Sequence, residues 1–179
     1  MGIILNLRSM MAGRDIPAAL LQQINQTVQH CMHKAEQVLD EKFDPPSVHY
    51  NVRGKVAGKA YLQSWEIRLN PTLLLENQSA FLHQVIPHEI AHLLTYHQFG
   101  RVRPHGKEWQ AIMLKVFQLN PDTRHQFDVS SVQGRTFSYQ CQCRQYDLSI
   151  RRHNKVMRNQ AQYHCLECKQ QLQLKSECN

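Results

Sequence analysis

Apolar residues recur at three-to-four-residue spacing in three stretches, and each stretch predicts a helix with one buried face. In the first, Leu20, Leu21, Ile24, Val28, Met32, Ala35 and Leu39 form one stripe of a helix over residues 16–42. Pro17 suits its first turn, and Asp44-Pro45-Pro46 ends it. Cys31 and His33 lie on this helix and read as structural. In the second, Phe81, Leu82, Val85, Ile86, Ile90, Leu93 and Leu94 predict a helix to about Tyr96, with Asn77 or Ser79 as candidate caps and Gly100 as the stop. Pro87 falls inside this run and predicts a kink or a lost hydrogen bond. In the third, Trp109, Ile112, Met113, Val116 and Phe117 mark a helix from Gly106 to Leu119, closed by Asn120-Pro121.

Between the first two helices the period changes to two. Val48, Tyr50 and Val52 alternate, Arg53-Gly54 and Ala57-Gly58 punctuate, and Ala60, Tyr61 and Leu62 continue. Glu66-Ile67-Arg68-Leu69-Asn70 alternates again and stops at Pro71. Two or three antiparallel strands are expected here. An exposed strand beside the second helix would suit an extended peptide bound by strand addition.

That second helix carries the chemistry. His88-Glu89-Ile90-Ala91-His92 puts two imidazoles four residues apart, on one helical face. Both can reach one metal ion, and Glu89, about 100° further round, can reach a water beside it. With 11 His in the chain the five-residue motif alone is weak. Its place on a buried stripe strengthens it, because buried imidazoles need partners. A catalytic zinc takes three protein ligands and keeps one position open. His97, His105 and Glu108 are the candidates for the third. His97 would point away on a continuing helix, Glu108 lies on the next helix, and His105 follows a turn at Gly100 and Pro104. His105 ranks first.

Composition refines this picture. The apolar fraction of 42% is that of a folded globular chain. No apolar run spans a membrane and no secretory signal is evident, so a cytoplasmic location is expected. Met10 and Met11 leave a later start open. The net charge is +7, with eight Lys/Arg against eight Asp/Glu in residues 1–98 and 13 against six in residues 99–179. A basic half is a candidate surface for nucleic acid.

The cysteines cluster in that half. Cys141-x-Cys143 is followed, after 21 residues, by Cys165-x-x-Cys168. Leu148–Ile150, Ala161–Tyr163 and Gln171–Leu174 read as strands, with a basic turn at residues 151–155. Two thiolate pairs on a β-hairpin suggest a ribbon held by zinc. The one-residue spacer departs from the usual Cys-x-x-Cys, so His153 or His164 is kept as a substitute ligand. Cys178 reads as a free thiol. The linker, residues 122–134, contains His125 and Phe127 and is assigned no chemistry.

His88-Glu89-Ile90-Ala91-His92 with Pro104-His105-Gly106-Lys107-Glu108-Trp109 resembles the bacterial SprT family, relatives of the SprT-like metalloprotease domain of eukaryotic Spartan. Gly58-Lys59-Ala60-Tyr61-Leu62 and Glu66–Pro71 share the resemblance, which runs from about Val48 to the cysteines. It implies His88, His92 and His105 as ligands of a catalytic Zn2+ and Glu89 as acid/base. It also supports a C-terminal cysteine module, with Cys141, Cys143, Cys165 and Cys168 holding a second, structural zinc. The expected architecture is α+β. A zincin-like domain over residues 14–128 combines an N-terminal helix, a small antiparallel sheet, the motif helix and a following helix. A zinc-ribbon-like module covers residues 136–175. The expected function is a zinc metallopeptidase acting on a protein substrate, with DNA, single-stranded or structured, as a further partner. Arg144, Arg151, Arg152, Lys155 and Arg158 would meet phosphates, and Tyr139, Tyr146 and Tyr163 would pack the ribbon or stack on bases. The competing reading is a non-enzymatic zinc-binding nucleic-acid or transcription-associated protein.

Overall fold

The computed structural model describes residues 16–123 and 127–175. Met10, Met11, the expected domain start at residue 14, His125 and Cys178 lie outside the described residues. The chain divides into two compact units, one up to Val132 and one from Gln133.

In the first unit, α1 (Ala18–Leu39) opens at Pro17 and closes on Asp40, whose φ of 52° is left-handed. Its stripe of Leu20, Ile24, Val28, Met32 and Ala35 is buried as its spacing requires. Strands β1 (Ser47–His49), β2 (Gly58–Tyr61) and β3 (Glu66–Leu69) form one sheet in the order β1-β3-β2. β2 and β3 are antiparallel, but β1 runs parallel to β3. The sheet is therefore mixed rather than antiparallel. The loop after β1 carries the chain to the far side of β3, so β2 returns on the opposite edge. Asn70 fixes that crossover. Its buried side chain donates to the carbonyls of Gly54 (2.7 Å) and Val56 (3.1 Å) and accepts from the N–H groups of Thr72 and Leu73. It thereby also caps α2 (Pro71–Glu76).

The motif helix is built in three pieces with helical backbone across each join: α3 (Gln78–Ala80), a π-helical turn (Phe81–Val85) and α4 (Ile86–Phe99). Asn77 stands at its N-cap position and its carbonyl accepts from the Phe81 N–H, but neither the Asn77 nor the Ser79 side chain caps it. Asn77 instead donates to the Leu73 carbonyl at the end of α2. The discontinuity expected at Pro87 is this π turn. The N–H of Ile86 reaches back to Phe81, one residue further than in an α-helix, and Pro87 then sits in the first turn of α4, where no N–H is required. α4 is buried almost all round and packs against α1, β2, β3 and the next helix. It ends at Gly100, whose φ of 68° favours glycine. The next helix is α5 (Lys107–Ile112), extended by a second π turn (Met113–Phe117) that packs on α1. Phe127 joins this core against Phe81.

The second unit holds β4 (Thr136–Gln140), β5 (Gln145–Ser149), α6 (Ile150–Met157) and β6 (Gln173–Leu174), in the sheet order β5-β4-β6. The stretch read as a basic turn is the helix α6, and Ala161–Tyr163 is not a strand. α6 forms because His153 supplies the packing that apolar residues usually supply. Its ring stacks on Phe137 at 3.6 Å, and Tyr139 Oη lies 3.1 Å from its Nδ1. Val156 packs on the same small core of Tyr139, Leu148, Cys165 and Leu172.

Candidate metal centre

Helix α4 presents His88 and His92 one turn apart, and the chain after Gly100 folds back to bring His105 to them. Their Nε2 atoms form a near-equilateral triangle with sides of 3.2, 3.1 and 3.0 Å. Three imidazole nitrogens at this spacing cannot all face one another as lone pairs without a proton or a cation among them. Tetrahedral zinc, with bonds of about 2.0–2.1 Å, would separate its nitrogen ligands by about 3.3–3.4 Å. The donor set fits zinc. Burial holds His92 down to about 4, helped by the neighbouring His105, and burial also lowers His105. Both imidazoles are thus kept in the neutral form that binds metal.

The loop geometry of His105 is specific. His105 has a φ of 57°. Gly106 follows because a Cβ there would lie 2.9 Å from the Arg103 carbonyl oxygen. Gln110 donates to the His105 carbonyl at 3.0 Å. Neither other candidate for the third ligand joins the cluster. His97 turns away to Glu41, at 2.8 Å, and packs on Phe43 and Trp65. Glu108 pairs with Lys107.

Trp109, read from the sequence only as core, is the splint of the site. It is fully buried, stacks on His92 (5.5 Å, 25°) and meets His88 and His105 edge-on at 4.8 and 4.6 Å. The available signal was its place in the first turns of the helix that directly follows His105. Glu89 is 5% exposed. Burial pushes its carboxyl up to about 8, against a hydrogen bond from the Ala60 N–H that favours the ionised form.

The four cysteine thiols come together in the second unit, all ligand atoms within 4.8 Å of one another. Cys141 and Cys143 lie at the β4–β5 turn with Sγ atoms 3.4 Å apart, and Cys143 Sγ lies 3.4 Å from Cys165 Sγ. Zinc bonds of about 2.3 Å would place sulfur ligands about 3.8 Å apart, so the short spacer does not prevent convergence. Tyr146 Oη lies 2.9 Å from Cys165 Sγ, and this bond holds the Cys165 thiol down to about 5, in the range where it is a thiolate. His153 is committed to Phe137 and Tyr139, and His164 pairs in a backbone bridge with Gln171; neither joins the cluster. Tyr139 is core, and Arg144 is ion-paired with Glu167.

Fold and site define a two-unit α+β protein with two candidate metal centres, one of imidazoles beside a buried carboxylate and one of thiols. The SprT-like family model matches residues 28–125, more than half of the chain. The chain is 56% identical over 154 residues to Protein SprT of Actinobacillus succinogenes, covering 86% of this chain and 91% of the relative. It is 55% identical over 153 residues to Protein SprT of Vibrio parahaemolyticus (86% and 93%) and 52% identical over 158 residues to that of Yersinia pestis (88% and 93%). The chain belongs to the SprT-like family. No solved structure matches it significantly. No helix among the described residues is long and apolar enough to cross a membrane.

Proposed function

We propose that the chain is a zinc-dependent peptidase with Glu89 as its general acid/base. The observation that carries this reading is Glu89 itself, a buried carboxyl one residue from a ligand-type histidine and raised to about 8. A site serving structure alone has no use for an ionisable group kept near neutrality. Zinc held by His88, His92 and His105 would supply a Lewis acid for a peptide carbonyl and lower the pKa of water. A neighbouring cation would also draw the Glu89 carboxyl down towards working pH. Glu89 then takes a proton from the attacking water and delivers it to the departing amine as the C–N bond breaks. The ladder register turns the main-chain groups of Gly58 and the Ala60 carbonyl to the free edge of β2, with the Ala60 N–H held by Glu89, and this edge supports an extended peptide as substrate.

Cobalt substitution tests this against the competing structural-zinc reading. The cobalt spectrum is expected to change when a peptide hydroxamate is added, because an open ligand position accepts it. An unchanged spectrum, as from a closed four-ligand site, would overturn the proposal.

DNA-associated proteins are the proposed substrate class. On the second unit Arg135 lies over Phe137, which stacks on His153, and Arg152 lies over Tyr163; Arg151, Lys155 and Arg158 share or flank the same helix. Alternating cations and rings suit single-stranded DNA. Binding to a single-stranded oligonucleotide should weaken steeply between about 50 and 200 mM salt. Affinity independent of salt would rule this surface out.

A further inference from the structure

Glu89 is clamped between its own helix and β2. The register sets Gly58 opposite Leu69 and Ala60 opposite Ile67, and both partners are fully buried. Gly58 and Ala60 therefore face the core, while Lys59 and Tyr61 face the other side of the sheet. On that other side Arg68 covers the Tyr61 ring at 3.8 Å and pairs with Glu66. The two inward positions of β2 thus carry the two smallest side chains, and α4 packs directly on the strand.

A Cβ on Gly58 would lie 2.8 Å from Glu89 Oε1, 2.9 Å from Cγ and 3.1 Å from Cδ. Three atoms along the Glu89 side chain occupy that space, so rotating the carboxylate alone would not relieve the clash. Gly58 lies in an extended strand and outside the left-handed region. Its backbone therefore does not require glycine; the space filled by Glu89 does. The Ala60 N–H, two residues along, donates to the same carboxylate.

We propose that Gly58 is a positioning residue for Glu89: the missing side chain at this inward position sets where the carboxylate stands relative to the three imidazoles. The proposal rests on the reading of Glu89 as acid/base. In functional terms the edge of β2 has two uses. Ala60 directs its N–H to Glu89, and Gly58 leaves the room that this bond needs.

The test is Gly58→Ala in the full zinc-loaded chain, in the wild-type background and in Glu89→Ala. Alanine in a strand is ordinarily no worse than glycine, so a loss of stability here reports the clash. In the wild-type background the substitution should lower Tm. A carboxylate displaced by about 1 Å should lower kcat on β-casein about 100-fold, with KM and zinc content unchanged. In Glu89→Ala the obstacle is gone, and Gly58→Ala should leave Tm unchanged or raise it. An equal fall in Tm in both backgrounds, or full kcat in Gly58→Ala, would overturn the proposal. If the wild type cleaves no peptide bond, the acid/base reading fails, and the two-background comparison of Tm still decides whether Gly58 positions Glu89.

Discussion

Replacing Trp109 with alanine separates packing from ligand positioning. The indole is fully buried and touches all three imidazoles, with centroids 4.6–5.5 Å away. Removing it should cost about 3–5 kcal/mol in the metal-free protein, the usual range for a large aromatic core residue. Its Nε1 bond to the His88 carbonyl is long, at 3.4 Å, and adds little. The larger consequence falls on His88, His92 and His105, which lose the surface that fixes their rings. Groups that orient metal-ligating histidines are worth about 10- to 100-fold in metal affinity. The stabilisation by a fixed free zinc concentration should therefore shrink by about 1.4–2.8 kcal/mol relative to wild type. Urea unfolding with zinc and with chelator measures it. Trp65, the other of the two tryptophans, reports on the first unit alone. If the variant is destabilised but gains as much from zinc as wild type does, Trp109 is only core and its positioning role is refuted.

Three further predictions follow from other parts of the chain. Asn70→Ala removes a helix cap and leaves the Gly54 and Val56 carbonyls without their donor; denaturation should show a loss of about 2–4 kcal/mol, and a loss under 1 kcal/mol would contradict the crossover lock. Zinc binding at the histidine site should persist to lower pH than it would with solvent-exposed imidazoles, because burial lowers His92 (to about 4) and His105 and protons compete only below each folded pKa; an affinity already falling between pH 8 and 7 would contradict this. Cys143→Ser should reduce metal content from two zinc ions to one and unfold the second unit while the first stays intact; two retained zinc ions would remove the four-thiol site.

The helical stripes of α1, α4 and α5 were legible because their burial is one-sided or complete and their period is long. The convergence of His88, His92 and His105 was legible for a related reason. Two ligands share one helical face, and Gly100 and Pro104 mark the turn that returns the third. Parallel pairing of β1 with β3 was not legible, because three-residue strands carry no signal of direction; Asn70, which enforces the crossover, reads locally as a strand end. α6 was missed because a histidine takes the place of an apolar residue on its packed face. Gly58 was read as punctuation. Its role depends on Glu89, 31 residues later in sequence, and only the small-large alternation of Gly58-Lys59-Ala60-Tyr61 hints at it.

The most direct test of the central claim is peptide-bond cleavage by wild type and Glu89→Gln at matched zinc content, on a protein substrate with and without single-stranded DNA. Glutamine keeps the size of the side chain and loses only its proton chemistry. The account predicts two zinc ions per chain in both proteins, cleavage by wild type and none by Glu89→Gln. Equal cleavage by the two proteins would contradict it.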